Sequence, residues 1–420
     1  MWYGKSIKRF LLRVLVVSQY FWPENFRIND LVAEFVKRGH DVTVLTGWPN
    51  YPEGKFFSDF TANPDHFAEY KGATVIRVPM LPRGQGGLRL MLNYISFAAS
   101  ASFIGPCRLR KRKFDVIFAY EPSPITVGIP AAVMRAVQRA PLSFWVLDLW
   151  PESLEAIGVV RSRFMLKLIG RLVATIYNRC DLILATSHSF IPQIAKYAGR
   201  CQRIEYFPNW AESVFALQDV VPAFEVPLKP ACFSIMFAGN IGESQDFPAI
   251  LAAAERLKGY SNIRWLIVGD GRMADWVKDE INKRGLENSV LMLGRYPVER
   301  MPSFYRHADA LLLALKDEPI FAMTLPGKLQ SYLASGIPLL AMLNGEGGSV
   351  IQNAQAGFSC PAGDHVALTE AVLKLSAMSK EERKNMGRRG VVLSQNDFGR
   401  EKLIDRLEVW LEELQIRGGH

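Results

Sequence analysis

Cysteine is scarce in this chain, and its five copies are scattered. They are Cys107, Cys180, Cys201, Cys232 and Cys360. No two of them have the CxxC spacing of a structural zinc site, and no disulfide framework is indicated. Such cysteine usage is typical of proteins that work in a reducing cytosol.

Long apolar runs without charge are also missing. Leu11–Ser18 follows a basic stretch, as in a signal sequence, but it is short, contains an arginine and lacks a small-residue cleavage site. We interpret it as a buried first strand preceded by a basic extension over residues 1–10. Leu88–Pro106 is the least polar longer stretch, and Arg89 and Asn93 interrupt it, which disfavours a membrane-spanning helix.

What remains is the composition of a folded globular protein, with 49% hydrophobic and 22% charged residues. A length of 420 residues predicts two domains. The net charge of +9 is uneven, because residues 1–210 hold 27 Lys and Arg against 15 Asp and Glu. The basic half favours an anionic partner such as a membrane surface, a phosphate-bearing lipid or a nucleic acid. A solvated surface without a partner is the alternative, and the lack of interleaved aromatic residues argues against nucleic acid.

Both halves alternate short apolar runs with segments of helical periodicity, which predicts βαβ units and parallel sheets. The predicted strands of the first half are Val14–Val17, Val42–Leu45, Thr74–Val78, Val116–Ala119, Ser143–Val146 and Leu182–Ala185. Those of the second half are Ser234–Ala238, Arg264–Val268, Val290–Leu293, Ala310–Leu315 and Ile337–Ala341. The fold class is therefore α/β, with Rossmann-like domains over residues 11–208 and 209–395 and a helical tail over residues 396–420.

Glycine loops follow the strands of the second half. Gly239 and Gly242 stand between a strand and a helix, where backbone N–H groups and the helix dipole favour a phosphate. Gly269 closes a similar turn after the next strand, and glycines that only close turns would give the same pattern. Arg295 and Tyr296 follow a third strand, where the tyrosine ring can stack on a planar base. A plain exit of the chain from strand to loop is the alternative.

The densest group of candidate residues lies between Glu318 and Gly336. Pro326 and the following glycine fix a turn that places Lys328 at a helix start. A cation beside free helix N–H groups is unfavourable unless both share an anion, and a diphosphate is such an anion. A solvent-facing lysine is the alternative. A later glycine-rich loop at Glu346 precedes another helix and is a candidate cover for a ligand.

Three loops of the first half follow strands at the edge where open α/β sheets bind ligands. They carry Glu24, Asn25 and Arg27, then Tyr120 and Glu121, then Asp148 and Glu152. Asp148 and Glu152 fit a base with its orienting partner, or contacts to sugar hydroxyls. For Glu152 a charge that stabilises a helix start is the alternative.

Two basic features suit an anionic membrane surface. The first is the run Arg108, Arg110, Lys111, Arg112 and Lys113. The second comprises Arg163, Lys167 and Arg171, whose spacing puts them on one helix face. Solvated helix faces are the alternative for both.

Several segments, in order along the chain, resemble the retaining glycosyltransferases of family four. They are residues 14–56 (VLVVSQYFWPENFRINDLVAEFVKRGHDVTVLTGWPNYPEGKF), DLWPESL, FPNWAE, FAGNIGESQDF, LIVGDGR, ADALLLAL and LPGKLQSYLASGIPLL. The resemblance covers roughly residues 11–415. It is nearest to the branch that makes O-antigens, capsules and colanic acid, which includes L-fucosamine transferases.

The resemblance implies the GT-B fold, two Rossmann-like domains that face each other across a cleft, with a C-terminal helix returning to the first domain. It implies a donor held by the second domain, an acceptor held by the first, retention at the sugar carbon, and neither a cofactor nor a required metal. The expected reaction moves a sugar, with N-acetylated amino sugars among the candidates, from a UDP-linked donor to a lipid-linked saccharide at the inner face of the cell membrane.

The chain departs from the family at its donor site. Two glutamates of the family align with Met323 and Ser331, so Glu318 and Glu346 are the candidate replacements. Two cations of the family align with Asn240 and approximately with Gln245. The diphosphate would then depend on backbone N–H groups, Gln245 and Lys328, with Arg295 a further cation. These departures keep two alternatives open, a sugar-nucleotide epimerase of the same fold and a non-catalytic GT-B partner protein.

Overall fold

A computed structural model describes residues 11–84, 86–156, 158, 160–199, 202–216, 220–229 and 232–418. The predicted basic extension over residues 1–10 lies outside the described residues. The chain forms two compact units. The first ends at Phe207 and also includes the chain from Ile404 onward, and the second runs from Pro208 to Leu403.

The first unit contains an eight-stranded sheet in the order β3-β4-β2-β1-β5-β6-β7-β8. Its strands are β1 (Arg13–Ser18), β2 (Asp41–Gly47), β3 (Glu69–Tyr70), β4 (Ala73–Val78), β5 (Val116–Glu121), β6 (Leu142–Val146), β7 (Leu182–Ala185) and β8 (Arg203–Tyr206). All neighbours are parallel except β3 and β4. Parallel neighbours bring the carboxyl ends of β1, β5 and β6 to one edge, where the predicted loops of this unit begin.

The sheet of the first unit is accompanied by seven α-helices among the described residues. They are α1 (Arg27–Lys37), α2 (Ser58–Ala62), α3 (Gly87–Leu109), α4 (Gly128–Gln138), α5 (Glu152–Ala156), α6 (Arg163–Tyr177) and α7 (Phe190–Tyr197). The connections from β4 to β5, β5 to β6 and β6 to β7 all run in one direction across the sheet. Because such crossovers are right-handed, α3, α4 and α6 lie on the same face, and α4 contacts both other helices.

The second unit contains a parallel six-stranded sheet in the order β11-β10-β9-β12-β13-β14. Its strands are β9 (Phe233–Ala238), β10 (Ile263–Val268), β11 (Val290–Gly294), β12 (Ala310–Ala314), β13 (Leu339–Met342) and β14 (Gly357–Cys360). The helices from here to the end of the chain are α8 (Phe247–Arg256), α9 (Ala274–Lys283), α10 (Met301–Tyr305), α11 (Pro319–Met323), α12 (Leu329–Ala334), α13 (Glu346–Asn353), α14 (His365–Ala377), α15 (Lys380–Asp397) and α16 (Arg400–Gly418). Short 3-10 helices cover Pro64–Phe67, Ile125–Val127, Ser213–Ala216, Glu243–Gln245 and Val298–Arg300.

The eleven predicted strands are all present, and no end is shifted by more than two residues. Apart from the edge strand β11, their side chains are mostly buried, because helices cover both faces of such sheets. The pattern did not predict β3, β8 and β14. The strand β3 has two residues, while β8 and β14 are edge strands whose side chains are mostly half-buried.

The chain returns to the first unit within α16. This boundary lies later than the residue 395 of our prediction, because α15 belongs to the second unit. In the first unit, Arg203 forms an ion pair of 2.6 Å with Glu413, and the rings of Phe207 and Trp410 meet edge to face. The end of the chain is therefore part of the first unit's core.

Candidate functional site

Glycines join the carboxyl ends of three neighbouring strands in the second unit. The Gly239 N–H donates to the Val268 carbonyl at 2.8 Å, and the Gly269 N–H donates to the Gly294 carbonyl at 2.7 Å. Gly239 and Gly269 have φ values of +140° and +145°, which side chains rarely adopt. A Cβ on Gly269 would also overlap the carbonyl oxygen of Gly239. These loops therefore approach each other as closely as their backbones permit.

Lys328 lies across the first of these glycine loops. A Cβ on Gly239 would overlap the Lys328 Cε, so the glycine leaves the space that the lysine chain occupies. The Lys328 ammonium donates to Gln245 Oε1 at 2.8 Å and lies 3.7 Å from the centre of the Phe237 ring. Among the described residues no carboxylate pairs with it, and burial lowers the pKa of Lys328 to about 7. In its protonated form the side chain is thus a partly desolvated cation, without a counter-ion in the part of the chain that the structure describes.

A cavity of about 200 Å³ opens beside this lysine. Its lining residues are Gln245, Leu313, Ala314, Leu315, Phe321, Thr324, Pro326, Gly327 and Lys328. The polar side chains among them are an amide, a hydroxyl and an ammonium, and the remainder are apolar or glycine. The cavity therefore combines a cation for an anionic group with apolar walls.

The other predicted donor residues have varied surroundings. Asn240 and Arg295 are exposed, beside the half-buried Gly242 and Tyr296. The Tyr296 ring packs against Phe304 with centroids 4.5 Å apart, so part of its surface is already covered. Stacking of Tyr296 on a base remains a prediction.

Glu318, Ser331 and Glu346 each lie at a helix start or inside a short helix. Backbone N–H groups of α11 donate to the Glu318 carbonyl, while its carboxylate has no hydrogen bond or ion pair within the described residues. The Ser331 hydroxyl donates to the Lys328 carbonyl at 2.9 Å, and Glu346 is the first residue of α13. The replacement of the family's two glutamates by Glu318 or Glu346 stays a prediction.

Sequence reasoning did not single out two aromatic residues of this site. Phe237 supplies the ring beneath the Lys328 ammonium, and Tyr332 is fully buried, with its hydroxyl hydrogen-bonded to the N–H and carbonyl of Ala238. Tyr332 thereby ties α12 to the end of β9. An aromatic residue in an apolar run carries no sequence signal beyond burial, so only the structure could reveal these contacts.

In the first unit, the buried Glu24 organises a loop. Its carboxylate accepts hydrogen bonds from the N–H groups of Phe21, Asn50 and Tyr51 at 3.1, 2.8 and 2.7 Å. Burial nevertheless raises the pKa of Glu24 to about 7. The Glu24 oxygens thus hold the backbone of the loop in place. The predicted contact of Glu24 with an acceptor stays a prediction.

The buried Glu121 at the end of β5 and the half-buried Asp148, just beyond β6, are neighbouring carboxyl groups. Glu121 is fully buried and accepts from the Asp148 N–H at 3.3 Å, while its Oε1 has no partner among the described residues. Burial and the neighbouring Asp148 raise the pKa of Glu121 well above its ordinary value. Burial also raises the pKa of Asp148, whose oxygens accept hydrogen bonds from Ser153 and Trp150. Both predicted residues are therefore held in place by the loop around them.

Glu152 contacts other residues than Glu121 and Asp148 do. Its Oε1 accepts a hydrogen bond from the Tyr197 hydroxyl at 3.2 Å, and it lines an open cavity of about 470 Å³ with Lys167 and Arg171 of α6. Burial, followed by the charge of Glu152, raises the pKa of Tyr197 to about 12. The structure therefore places two of the predicted basic residues beside a predicted catalytic one.

The remaining acceptor candidates differ in exposure. Asn25 is exposed and Arg27 is half-buried at the start of α1. Tyr120 is buried, and its ring packs on Trp145 with centroids 5.4 Å apart. Asn25 and Arg27 are thus better placed than Tyr120 for direct contact with an acceptor.

The cations of the run Arg108–Lys113 fall into two groups, those with hydrogen bonds to the described part of the protein and those without. Arg108 donates to the Arg77 carbonyl at 3.1 Å, and Arg112 donates to the Thr43 hydroxyl at 2.8 Å. The three other cations of the run are exposed, without an ion pair among the described residues. On α6, Arg163, Lys167 and Arg171 are all exposed, and their spacing places them on one helix face.

No group of three or more His, Cys, Asp and Glu side chains within the described part of the chain is arranged to hold a metal ion. Metal independence was expected from the resemblance alone, and it stays a prediction.

Two family models match the chain. Residues 226–391 match the model "Glycosyl transferases group 1", and residues 25–210 match the model "Glycosyl transferase 4-like domain". The two matches follow the two units and together cover most of the chain. The protein is a glycosyltransferase, with one glycosyltransferase domain in each unit.

A relative in Escherichia coli (strain K12) carries the name colanic acid biosynthesis glycosyl transferase WcaI. It is 26% identical over 343 residues, which are 77% of this chain and 82% of the relative. This glycosyltransferase is thus similar to a protein named for the synthesis of a surface polysaccharide.

Solved structures share the fold at low identity. Anabaena HepE in complex with UDP and glucose has a TM-score of 0.66 at 14% identity, covering 96% of this chain and 99% of that chain. Sucrose-phosphate synthase from Thermosynechococcus elongatus has a TM-score of 0.71 at 13% identity, with the same coverage. The glycosyltransferase has the GT-B fold, built from two Rossmann-like domains.

Proposed function

We propose that this glycosyltransferase moves a sugar from a UDP-linked donor to a lipid-linked saccharide during surface polysaccharide synthesis, with retention at the sugar carbon. The observation that carries the proposal is the Lys328 ammonium, which lies over a glycine loop without a carboxylate partner among the described residues. A diphosphate would supply the missing counter-charge. Stabilising the charge that develops on a leaving diphosphate is the largest contribution that such a site can make.

Two comparisons support the nature of donor and product. The HepE structure contains UDP, and a further HepE structure contains UDP-glucose. The name of WcaI points to colanic acid, and O-antigen and capsule synthesis are related expectations. N-acetylated amino sugars are the favoured donor sugars because the cavity beside Lys328 has mostly apolar walls that suit an acetyl group.

The first domain would hold the acceptor. Asn25 and Arg27 would contact it, while Glu24, Tyr120 and Glu121 shape the loops behind them. Asp148 and Glu152 would orient the acceptor hydroxyl or assist its deprotonation. A lipid-linked acceptor would place the protein at the inner face of the cell membrane, as a peripheral protein held by its basic residues.

The test is a panel of UDP-sugars incubated with the purified protein, with and without lipid-diphosphate-linked saccharides. We expect UDP release and a lengthened saccharide only when donor and acceptor are both present. Interconversion of sugar nucleotides without an acceptor would indicate the epimerase instead. Absence of UDP binding and release with every donor and acceptor would indicate the non-catalytic partner protein.

A further inference from the structure

The helix α3 exposes an apolar stripe along its length. Its exposed apolar side chains are Leu88, Met91, Leu92, Ile95 and Phe103, with exposed fractions of 43% to 77%. Spacings of three and four residues place Leu88, Met91, Leu92 and Ile95 on one helix face, which the exposed Ala99 extends toward Phe103. A continuous apolar stripe on a protein surface marks an interaction site.

The opposite face of α3 belongs to the core of the first unit. Asn93 is fully buried, accepts hydrogen bonds from Gln19 and Tyr20 at 2.8 and 3.0 Å, and donates to the Leu81 carbonyl at 2.6 Å. Gly105 packs against Leu45 so closely that a Cβ would lie 2.9 Å from it. The helix is long and apolar enough to cross a membrane. These contacts, however, hold it on the sheet, so its exposed face can only lie along a surface.

The charged residues that neighbour α3 in the sequence are all of one sign. Residues 70–114 contain nine Lys and Arg and no Asp or Glu. Arg89 is exposed within the first turn, and Arg110, Lys111 and Lys113 are exposed just beyond the last. An apolar stripe with cations at both ends matches a bilayer that carries anionic headgroups.

A second helix of the same layer repeats this combination. Phe164, Met165 and Leu168 of α6 are exposed, interleaved with the exposed Arg163 and Lys167. Since α3, α4 and α6 cover one face of the sheet, both apolar patches belong to that helix layer.

We propose that α3 is an interfacial membrane helix, whose apolar stripe enters the acyl region of an anionic bilayer while its flanking cations contact lipid phosphates. The helix α6 adds a second contact in the same layer. The inference deepens the proposed function by naming how the protein reaches a lipid-linked acceptor. Vesicle binding requires neither donor nor acceptor, so the two proposals succeed or fail separately.

The experiment is sedimentation of the full chain with vesicles of phosphatidylcholine alone or mixed with phosphatidylglycerol. The double variant Ile95→Glu/Phe103→Glu should bind mixed vesicles at least about tenfold more weakly, because two apolar side chains that would enter the acyl region are replaced by charged ones. The matched control is Val392→Glu, which changes a residue that is 56% exposed in the second unit, against 51% for Ile95. The control should bind like the unchanged protein.

A charge variant separates the two contributions. Lys111→Glu/Lys113→Glu should lose the preference for phosphatidylglycerol and keep the residual binding to phosphatidylcholine. Circular dichroism and the Tm establish that each variant is folded. Equal vesicle binding by Ile95→Glu/Phe103→Glu and Val392→Glu would overturn the proposal. So would a dimer of the unchanged protein that the stripe variant converts to a monomer, because a second copy would then cover the stripe.

Discussion

The neighbours of the Lys328 ammonium stabilise its positive charge only weakly. The amide oxygen of Gln245 and the ring of Phe237 are its neighbours, and both are uncharged. A desolvated cation without a counter-ion is unfavourable in the free protein. In the proposed function a bound diphosphate would remove that penalty, so burial of the lysine would favour the binding of anions over neutral ligands.

Replacing Lys328 by Ala should lower sugar transfer by about 100-fold or more, because loss of one group that stabilises developing charge costs that much. The assay is UDP release in the presence of donor and acceptor. Lys283→Ala is the matched control, since this lysine side chain is 69% exposed on α9. Its rate should stay within about twofold. Near-normal turnover by the folded Lys328→Ala protein would remove Lys328 from the mechanism.

Donor binding should take up a proton. Because the pKa of Lys328 is lowered to about 7 by burial, the amine is largely neutral above that pH in the free protein. The negative charge of a bound diphosphate raises the pKa again, so UDP affinity should fall as pH rises, by up to about tenfold per unit. Calorimetric titration with UDP near pH 8, in buffers of different ionisation enthalpy, measures the uptake. Lys328→Met should bind UDP without this uptake, and an unchanged uptake would assign the proton to another group.

At the level of elements, the glycine loops after β9 and β10 are packed against each other, and the first of them lies against Lys328. The two loops meet at Gly239 and Gly269, where backbone approaches backbone. Any change that pushes these loops apart also moves the Lys328 chain, because that chain lies on Gly239.

Gly269→Ala should therefore destabilise the second unit and impair UDP binding together. Its φ of +145° and the overlap with the Gly239 carbonyl oxygen both oppose a Cβ. A cost of about 2 kcal/mol or more corresponds to a Tm decrease of about 4–8 °C. Gly259→Ala is the control, since nothing lies within 4 Å of a Cβ there. Equal Tm values for the two variants would show that the loops can separate without cost.

The strands could be predicted because a strand buried on both faces is a continuous apolar run. The edge strand β8, with the sequence RIEY, could not, since its side chains are half-buried and partly charged. At the site, glycines and Lys328 stand out by residue type. The bonds from Glu24 to Asn50 and Tyr51 join residues far apart in the chain, and no local pattern reports them.

At the scale of the whole molecule, the chain returns to its first unit within α16. Glu408 of α16 is buried, and its carboxylate contacts two side chains that flank the end of α1, Arg38 and His40. Its Oε1 lies 2.7 Å from His40 Nε2, and its Oε2 lies 2.5 Å from Arg38 Nη1. Burial opposes ionisation, but hydrogen bonds from His40 and Arg38 hold the pKa of Glu408 below its ordinary value.

Glu408→Gln should destabilise the first unit by about 2–4 kcal/mol, because it leaves the buried Arg38 without one of its charge partners. Asp405→Asn is the matched control. Asp405 pairs with the same Arg38 atom but is 55% exposed, and its loss should cost less than about 1 kcal/mol. Denaturant unfolding measures both.

The stability that Glu408 contributes should depend on pH. A carboxyl whose pKa is lowered on folding stabilises the protein above its unfolded pKa, and that stability is lost as pH falls through the folded pKa. The difference between the unchanged protein and Glu408→Gln should therefore be full at neutral pH and shrink in acid. Equal losses for Glu408→Gln and Asp405→Asn would instead mean that α16 is held by its apolar contacts, such as Trp410 against Phe207, and that the buried ion pairs contribute little.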